Sequence, residues 1–244
     1  LQGKEADVYR GLLGDETPEA RPYARALAKH PRPAPAHWIG TDEAGKGDWL
    51  GPLVVAGVAV GREQLELLWT LGIDDSKALN DNKLPDMARE IAATCPWEVI
   101  VINPARYNEL YAKMRNINRM LEWAHAKVIE GLLEKGAPAE WILVDKFGDE
   151  GRLRRAMGPL GRQVAFQART KAEEDPAVGA ASVLARASYL KGMERLSARF
   201  GVRLHGGAGA PALAAGRRFI ETVGRAELGQ VAKLHFRSTE QAGG

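Results

Sequence analysis

Apolar residues are grouped along this chain in short runs at its start and middle and in helical stripes further on. Residues 37–41 (His-Trp-Ile-Gly-Thr) pass through a glycine-rich turn into the apolar run 53–60 (Leu-Val-Val-Ala-Gly-Val-Ala-Val). Two such runs joined by a tight turn predict a hairpin. The stretch from Asn80 to Thr94 predicts a helix, and Trp97 to Ile102 predicts a third strand that stops before Pro104. Ile117, Leu121, Ala124, Val128 and Leu132 then recur at three- and four-residue steps, giving a helix with one apolar face that ends at Gly136. Trp141-Ile142-Leu143-Val144 is a short apolar strand, and Gln163 to Phe166 predicts another. From Pro176 to about Leu196 the chain is rich in Ala, Val and Leu on nearly all sides, as in a helix buried against a sheet, and Leu213 to Val223 predicts one more helix. The order implies an α/β fold: a mixed five-stranded sheet with an antiparallel hairpin edge and helices on both faces.

The first 36 residues stand apart. A possible helix over 21–29 runs into the proline-rich stretch 30–35, which reads as an extended linker, so residues 1–36 are expected to be an N-terminal extension and 37–244 a single catalytic domain. No apolar run approaches the roughly 20 residues that cross a bilayer, so a soluble cytoplasmic protein with no membrane partner is expected. Cys95 is the one cysteine, which excludes a disulfide framework or a cysteine-type zinc site and leaves it as core filler. A net charge of +3 is compatible with a polyanionic partner without requiring one.

Chemistry enters with the acids at strand ends. Asp42-Glu43 sits at the end of the first strand, where consecutive side chains point to opposite faces, and Asp145 terminates the strand 141–144. An acidic pair in such a place is more often a cap or a surface pair. Acids gathered at the mouth of a sheet, however, raise one another's pKa unless a hard divalent ion neutralises them, and Mg²⁺ or Mn²⁺ favours such oxygen donors. Two ions about 4 Å apart can activate water and stabilise the leaving oxygen on phosphorus.

The context of the pair reads Gly40-Thr41-Asp42-Glu43-Ala44-Gly45-Lys46-Gly47-Asp48-Trp49-Leu50-Gly51-Pro52. It closely resembles the type 2 ribonuclease H group and, within it, ribonuclease HIII. The resemblance extends through Asp75-Ser76-Lys77, Tyr107-Asn108, Asn116-Ile117-Asn118, Leu143 to Phe147, Thr170 to Glu173, Ala180 to Arg186, Gly206-Gly207-Ala208 and Ala232 to Phe236. The closing Lys233-Leu234-His235-Phe236, and Glu rather than Asp after Lys171-Ala172, resemble the HIII branch. The resemblance implies a ribonuclease H-like fold and a catalytic, metal-binding quartet of Asp42, Glu43, Asp145 and Glu173 with two ions. It also implies an RNA–DNA hybrid as substrate, cut to leave 5′-phosphate and 3′-hydroxyl ends. The spacing from Glu173 to Ser182 is one residue shorter than the family pattern, which keeps Glu174 in reserve, while Asp175 before Pro176 reads as a helix cap. Ribonucleases HIII commonly carry a separate substrate-binding domain ahead of the catalytic one. The 36 residues here would be a reduced or truncated form of it.

For the substrate, the turn Gly45-Lys46-Gly47 resembles the family's reader of ribose 2′-hydroxyls, although a plain hairpin turn would use the same glycines. A dinucleotide-binding fingerprint is excluded because Pro52 and a β-branched run follow instead of a helix, so no nucleotide cofactor is expected. Lys77, Asn116 and Asn118 are candidate phosphate contacts, with Asn116 slightly favoured as a helix cap; Lys171 and Ser182 complete the candidate substrate set. Arg152, Arg154, Arg155, Arg162 and Arg169 could line a phosphate groove or simply form a solvated face. His205 and His235 read as structural or surface residues. The alternatives are a type HII enzyme acting at single embedded ribonucleotides, and a catalytically silent hybrid-binding protein; the expected state is a monomer.

Overall fold

The computed structural model describes residues 23–73, 81–145 and 148–243. Five strands, β1 (His37–Ala44), β2 (Leu53–Gly61), β3 (Trp97–Ile102), β4 (Trp141–Asp145) and β5 (Ala165–Arg169), form one sheet in the order β3-β2-β1-β4-β5. β1, β2 and β3 pair antiparallel, whereas β4 and β5 run parallel to β1, so the expected mixed sheet with an antiparallel edge is present. The helices are α1 (Ala24–Leu27), α2 (Leu65–Thr70), α3 (Leu84–Thr94), α4 (Pro104–Met114), α5 (Ile117–Glu134), α6 (Glu150–Ala156), α7 (Pro176–Phe200), α8 (Ala210–Thr222) and α9 (Ser238–Gly243). None is long and apolar enough to cross a membrane among the described residues.

The period of two along the central strands divides the core into two layers. Trp38, Val54, Ala56, Val58, Trp141 and Leu143 pack with Ala177, Val178, Ala181 and Ala185 of α7. Ile39, Ala59, Ile142 and Val144 lie on the opposite face with Ala126, Ile129 and Leu132 of α5, and Leu53 and Val55 lie there with Leu121, Ala124 and Val128. Both faces of β2 are covered, which is why its nine residues are all buried and all apolar or glycine.

Several expectations need correction. β1 continues to Ala44, beyond the predicted 37–41, so Asp42 and Glu43 are paired strand residues near its end. The last strand is Ala165–Arg169, shifted from 163–166 because Gly161–Gln163 forms a 3₁₀ turn held by Glu130, whose carboxylate accepts the N–H groups of Leu160 and Gly161 at 2.9 and 3.0 Å. α3 begins at Leu84, and among the described residues of the predicted segment 21–29, which start at Tyr23, α1 covers Ala24–Leu27. The supposed linker is anchored where it starts: His30 is 7% exposed and its ring lies 4.8 Å from Trp38 and 4.7 Å from Trp141. Four helices had gone unassigned in the sequence: α2, α4, α6 and α9. Pro104, read only as a strand terminator, is also the first residue of α4.

Candidate active site

Strand alternation decides what each acid meets. Gly40 faces α7 so closely that a Cβ there would stand 2.3 Å from the backbone of Ala177 and Val178; only glycine lets the helix sit this low. Two residues on, Asp42 faces the same helix and takes a hydrogen bond from the hydroxyl of Ser182, while its Oδ1 also accepts the N–H of Glu43 at 2.8 Å. β4 lies beside β1 in parallel register, with Thr41 opposite Val144, so Asp42 and Asp145 follow at the same level on neighbouring strands. Burial, together with the charges of Glu43 and Asp145, pushes the Asp42 carboxyl up to about 7 against the two hydrogen bonds it accepts. Asp145 Oδ1 accepts the N–H of Ala172 at 3.0 Å.

Glu43 points to the opposite face, toward α5. Its Oε2 lies 3.3 Å from His125 Nε2, and Lys46 Nζ donates to its Oε1 at 3.3 Å. Burial works against its charge, but His125 and Lys46 outweigh that and hold the carboxyl below the ordinary glutamate value. Thr41, also on this face, has its hydroxyl 2.8 Å from His125 Nδ1.

The acidic run after β5 separates into three roles. Asp175 is fully buried: Oδ1 accepts the N–H of Ala177 at 3.0 Å, which caps α7, and Trp38 Nε1 at 2.8 Å, while Oδ2 lies 2.7 Å from His30 Nε2. Glu174 is exposed and paired with Lys29, whose hydrogen bond lowers its pKa. Glu173 is half-buried in the 3₁₀ turn Ala172–Glu174, one residue beyond the amide that binds Asp145.

The candidate substrate residues fall on several elements. Gly45 has φ +88°, and a turn closes from the Asp48 N–H to the Gly45 carbonyl at 3.3 Å, with Lys46 and Gly47 at its tip. Gly47 is exposed, and a Cβ there would meet nothing. Asn116 caps α5, accepting the N–H of Asn118 at 2.8 Å and of Arg119 at 3.4 Å. Asn118 is half-buried in the first turn of α5, and Lys171 is exposed with φ +56°. Lys77 lies outside the described residues.

A cavity of about 580 Å³ opens beside Glu43 and Ser182, walled further by Asp48, Arg186, Arg203 and His205. The sequence reading missed His125, Arg186 and Arg203. A signal for His125 was present, since it interrupts the apolar stripe of α5 between Ala124 and Val128, and Arg186 closes one of the segments that carry the family resemblance; Arg203 had none. Among the described residues no three His, Cys, Asp or Glu side chains form a ready-made ion cage. What converges is a neighbouring pair, Asp42 and Asp145, with Glu43 adjacent on the other face. Their donors are all carboxylate oxygen, and a cation would offset both the burial and the neighbouring negative charge that raise Asp42, so the set fits a hard divalent ion.

Comparison with known proteins gives matching results from sequence and structure. The sequence model of the family described as Ribonuclease HII matches residues 39–239. Ribonuclease HIII of Protochlamydia amoebophila is 37% identical over 202 residues, covering 83% of this chain and 67% of that protein. Ribonuclease HIII of Chlamydia abortus is 39% identical over 202 residues, covering 82% and 67%. Among solved structures, Bst-RNase HIII in complex with Mn²⁺ superposes with a TM-score of 0.82 at 33% identity, over 99% of this chain and 81% of that one. RNase HII of Archaeoglobus fulgidus, solved with PCNA, gives 0.65 at 34% identity over 76% and 88%.

Proposed function

Because this chain belongs to the ribonuclease HII family and aligns with its ribonuclease HIII members, it is an RNA–DNA hybrid ribonuclease, and we propose that Asp42, Glu43, Asp145 and Glu173 carry its chemistry. The observation that carries this reading is the placement of Asp42 and Asp145 at one level of two parallel strands, with Asp42 so buried beside the charge of Glu43 that its carboxyl stands near 7 without a cation. The four acids would hold two Mg²⁺ or Mn²⁺ ions, and Mn²⁺ is the ion in the Bst-RNase HIII structure. Bound there, such ions supply an activated water and stabilisation of the leaving 3′-oxygen, leaving 5′-phosphate and 3′-hydroxyl ends.

The chain's own groups prepare that chemistry. The Ser182 hydroxyl and the Glu43 amide orient Asp42, the Ala172 amide orients Asp145, and His125 with Lys46 keeps Glu43 ionised. For the fourth acid, Glu173 is favoured because it follows directly on Ala172, whose amide binds Asp145, whereas Asp175 is fully buried as the cap of the next helix. The Gly45–Gly47 turn is assigned to the ribose 2′-hydroxyls, supported by the open space at Gly47 beside an acid-lined cleft. Asn116, Asn118, Lys171, Ser182 and Lys77 are assigned to the phosphate backbone, Asn116 through the amide nitrogen that its cap leaves free. Residues 37–244 contain every acid and substrate group so assigned, which supports a single catalytic unit; a monomer in the bacterial cytoplasm, acting without a nucleotide cofactor, is part of the same proposal.

The test compares a long RNA–DNA hybrid with a DNA duplex carrying one ribonucleotide. Cleavage of the hybrid, abolished by Asp42→Asn or Asp145→Asn with hybrid binding retained, is the expected result. Preference for the single ribonucleotide would move the enzyme to HII behaviour, and full activity in either variant would remove the acids from the mechanism.

A further inference from the structure

The Lys233-Leu234-His235-Phe236 motif has no part in the chemistry above, yet it contains one of the least expected side chains in the molecule. Lys233 is 0% exposed. Its Nζ donates to the Asp48 carbonyl at 2.7 Å and lies 5.6 Å from the centre of the Tyr107 ring. Burial pulls its pKa down to about 7, partly offset by the charge of Asp48. An ammonium with so few partners is costly to bury, and a methionine would fill the same space with no polar head to satisfy.

Lys233 grips a particular place. Asp48 is the residue whose N–H closes the turn onto Gly45, so its carbonyl leaves directly from the end of the Lys46-Gly47 tip. The main chain is held alongside: Lys233 N–H donates to the Trp49 carbonyl at 2.9 Å, Gly51 N–H to the Val231 carbonyl at 2.8 Å, and Leu50 bridges Ala232. The C-terminal segment is itself fastened to α4, where the Asn108 amide donates to the carbonyls of Gly229 and Ala232 at 3.1 and 2.9 Å and its Oδ1 accepts the Leu234 N–H at 2.9 Å.

We propose that Lys233 is a positioning residue for substrate recognition: through the Asp48 carbonyl it holds the Gly45–Gly47 turn in the conformation that distinguishes a ribose strand from a deoxyribose strand. This rests on the assignment of that turn to the 2′-hydroxyls. Main-chain pairing alone would keep residues 49–51 in place; at residue 48 the Asp48 carboxylate accepts the Gly207 N–H, and the lysine adds a tie at the main-chain carbonyl, next to the tip.

The experiment measures binding, in an Asp145→Asn background, of an RNA–DNA hybrid and of a DNA duplex of the same sequence. Lys233→Met is expected to reduce the preference for the hybrid on the order of tenfold by weakening hybrid binding while leaving DNA binding unchanged. A role confined to stability would weaken both in proportion or neither. If Lys233→Met does not unfold cooperatively on heating, Lys233→Gln, which keeps a shorter donor, is read in its place. Gly47→Val is the control, because a side chain there meets no protein atom. Loss of preference in Gly47→Val with none in the Lys233 variant overturns the positioning role alone. No loss in either overturns the assignment of the turn and the proposal with it.

Discussion

His125 Nε2 lies 3.3 Å from Glu43 Oε2, while Nδ1 of the same fully buried ring lies 2.8 Å from the Thr41 hydroxyl. Among the neutral forms of the ring one tautomer satisfies the pattern, with the Thr41 O–H donating to Nδ1 and Nε2–H donating to Glu43. The ring therefore fixes the orientation of the carboxylate from below, as outer partners orient metal-binding side chains. His125→Ala is expected to lower the hybrid-cleavage rate by roughly 10- to 100-fold and stability by about 1–3 kcal/mol, since Thr41 is left buried without its partner. Steady-state kinetics and thermal unfolding check both, and an unchanged rate constant would remove His125 from the site.

Asp42 gives a pH dependence whose sign is definite. Its folded value of about 7 lies above the unfolded 3.8, so the stability it contributes is present below about 3.8 and is lost as pH rises through about 7. In chelator-treated protein Asp42→Asn should therefore be more stable than wild type at pH 8, by up to about 4 kcal/mol, and equal to it near pH 3.5. Adding Mn²⁺ should stabilise wild type more than the variant. Unfolding curves with chelator and with Mn²⁺ across that range measure the difference; parallel pH profiles would contradict the burial of charge at this position.

Glu173 and Glu174 are adjacent in sequence and separate in environment. Glu173→Gln is expected to lower hybrid cleavage by at least about a hundredfold, as loss of a metal-binding carboxylate does. Glu174→Gln removes an exposed pair with Lys29 and should change activity little and stability by less than about 1 kcal/mol. The reverse order would transfer the role to Glu174.

Gly40→Ala tests the seating of α7. The added methyl would stand 2.3 Å from the Ala177 and Val178 backbone, so the helix must rise and carry Ser182 away from Asp42. A loss of roughly 1–3 kcal/mol in denaturant unfolding, together with a reduced cleavage rate, is expected. Full activity at wild-type stability would show that the helix can shift without cost.

Much of this molecule was legible one residue at a time. The runs of β1, β2, β3 and β4, the apolar stripe of α5 and the uniformly apolar start of α7 follow from periodicity, because burial on one face or both leaves a direct mark on residue type. The acidic positions, read in their ordered context, named the family and the substrate class. Asp175 was recognised as a cap, because Asp before Pro at a helix start is a local signal. Helix α4 was missed although Tyr107, Leu110, Tyr111 and Met114 follow the helical spacing; Pro104 drew the reading toward an ending.

Tertiary structure alone decided the partnerships. That Asp42 turns to Ser182 and Glu43 to His125 depends on which helix covers which face of β1, and the parity of a strand says only that the two acids diverge. That Glu174 is taken by Lys29, Asp175 by Trp38 and His30, and the Asp48 carbonyl by Lys233 depends on contacts between residues 137 to 185 positions apart. Sequence determined the elements and the kinds of chemistry available, since these arise from local preference and residue type; packing determined which polar groups found one another, since buried donors and acceptors must be satisfied by whatever the fold brings near.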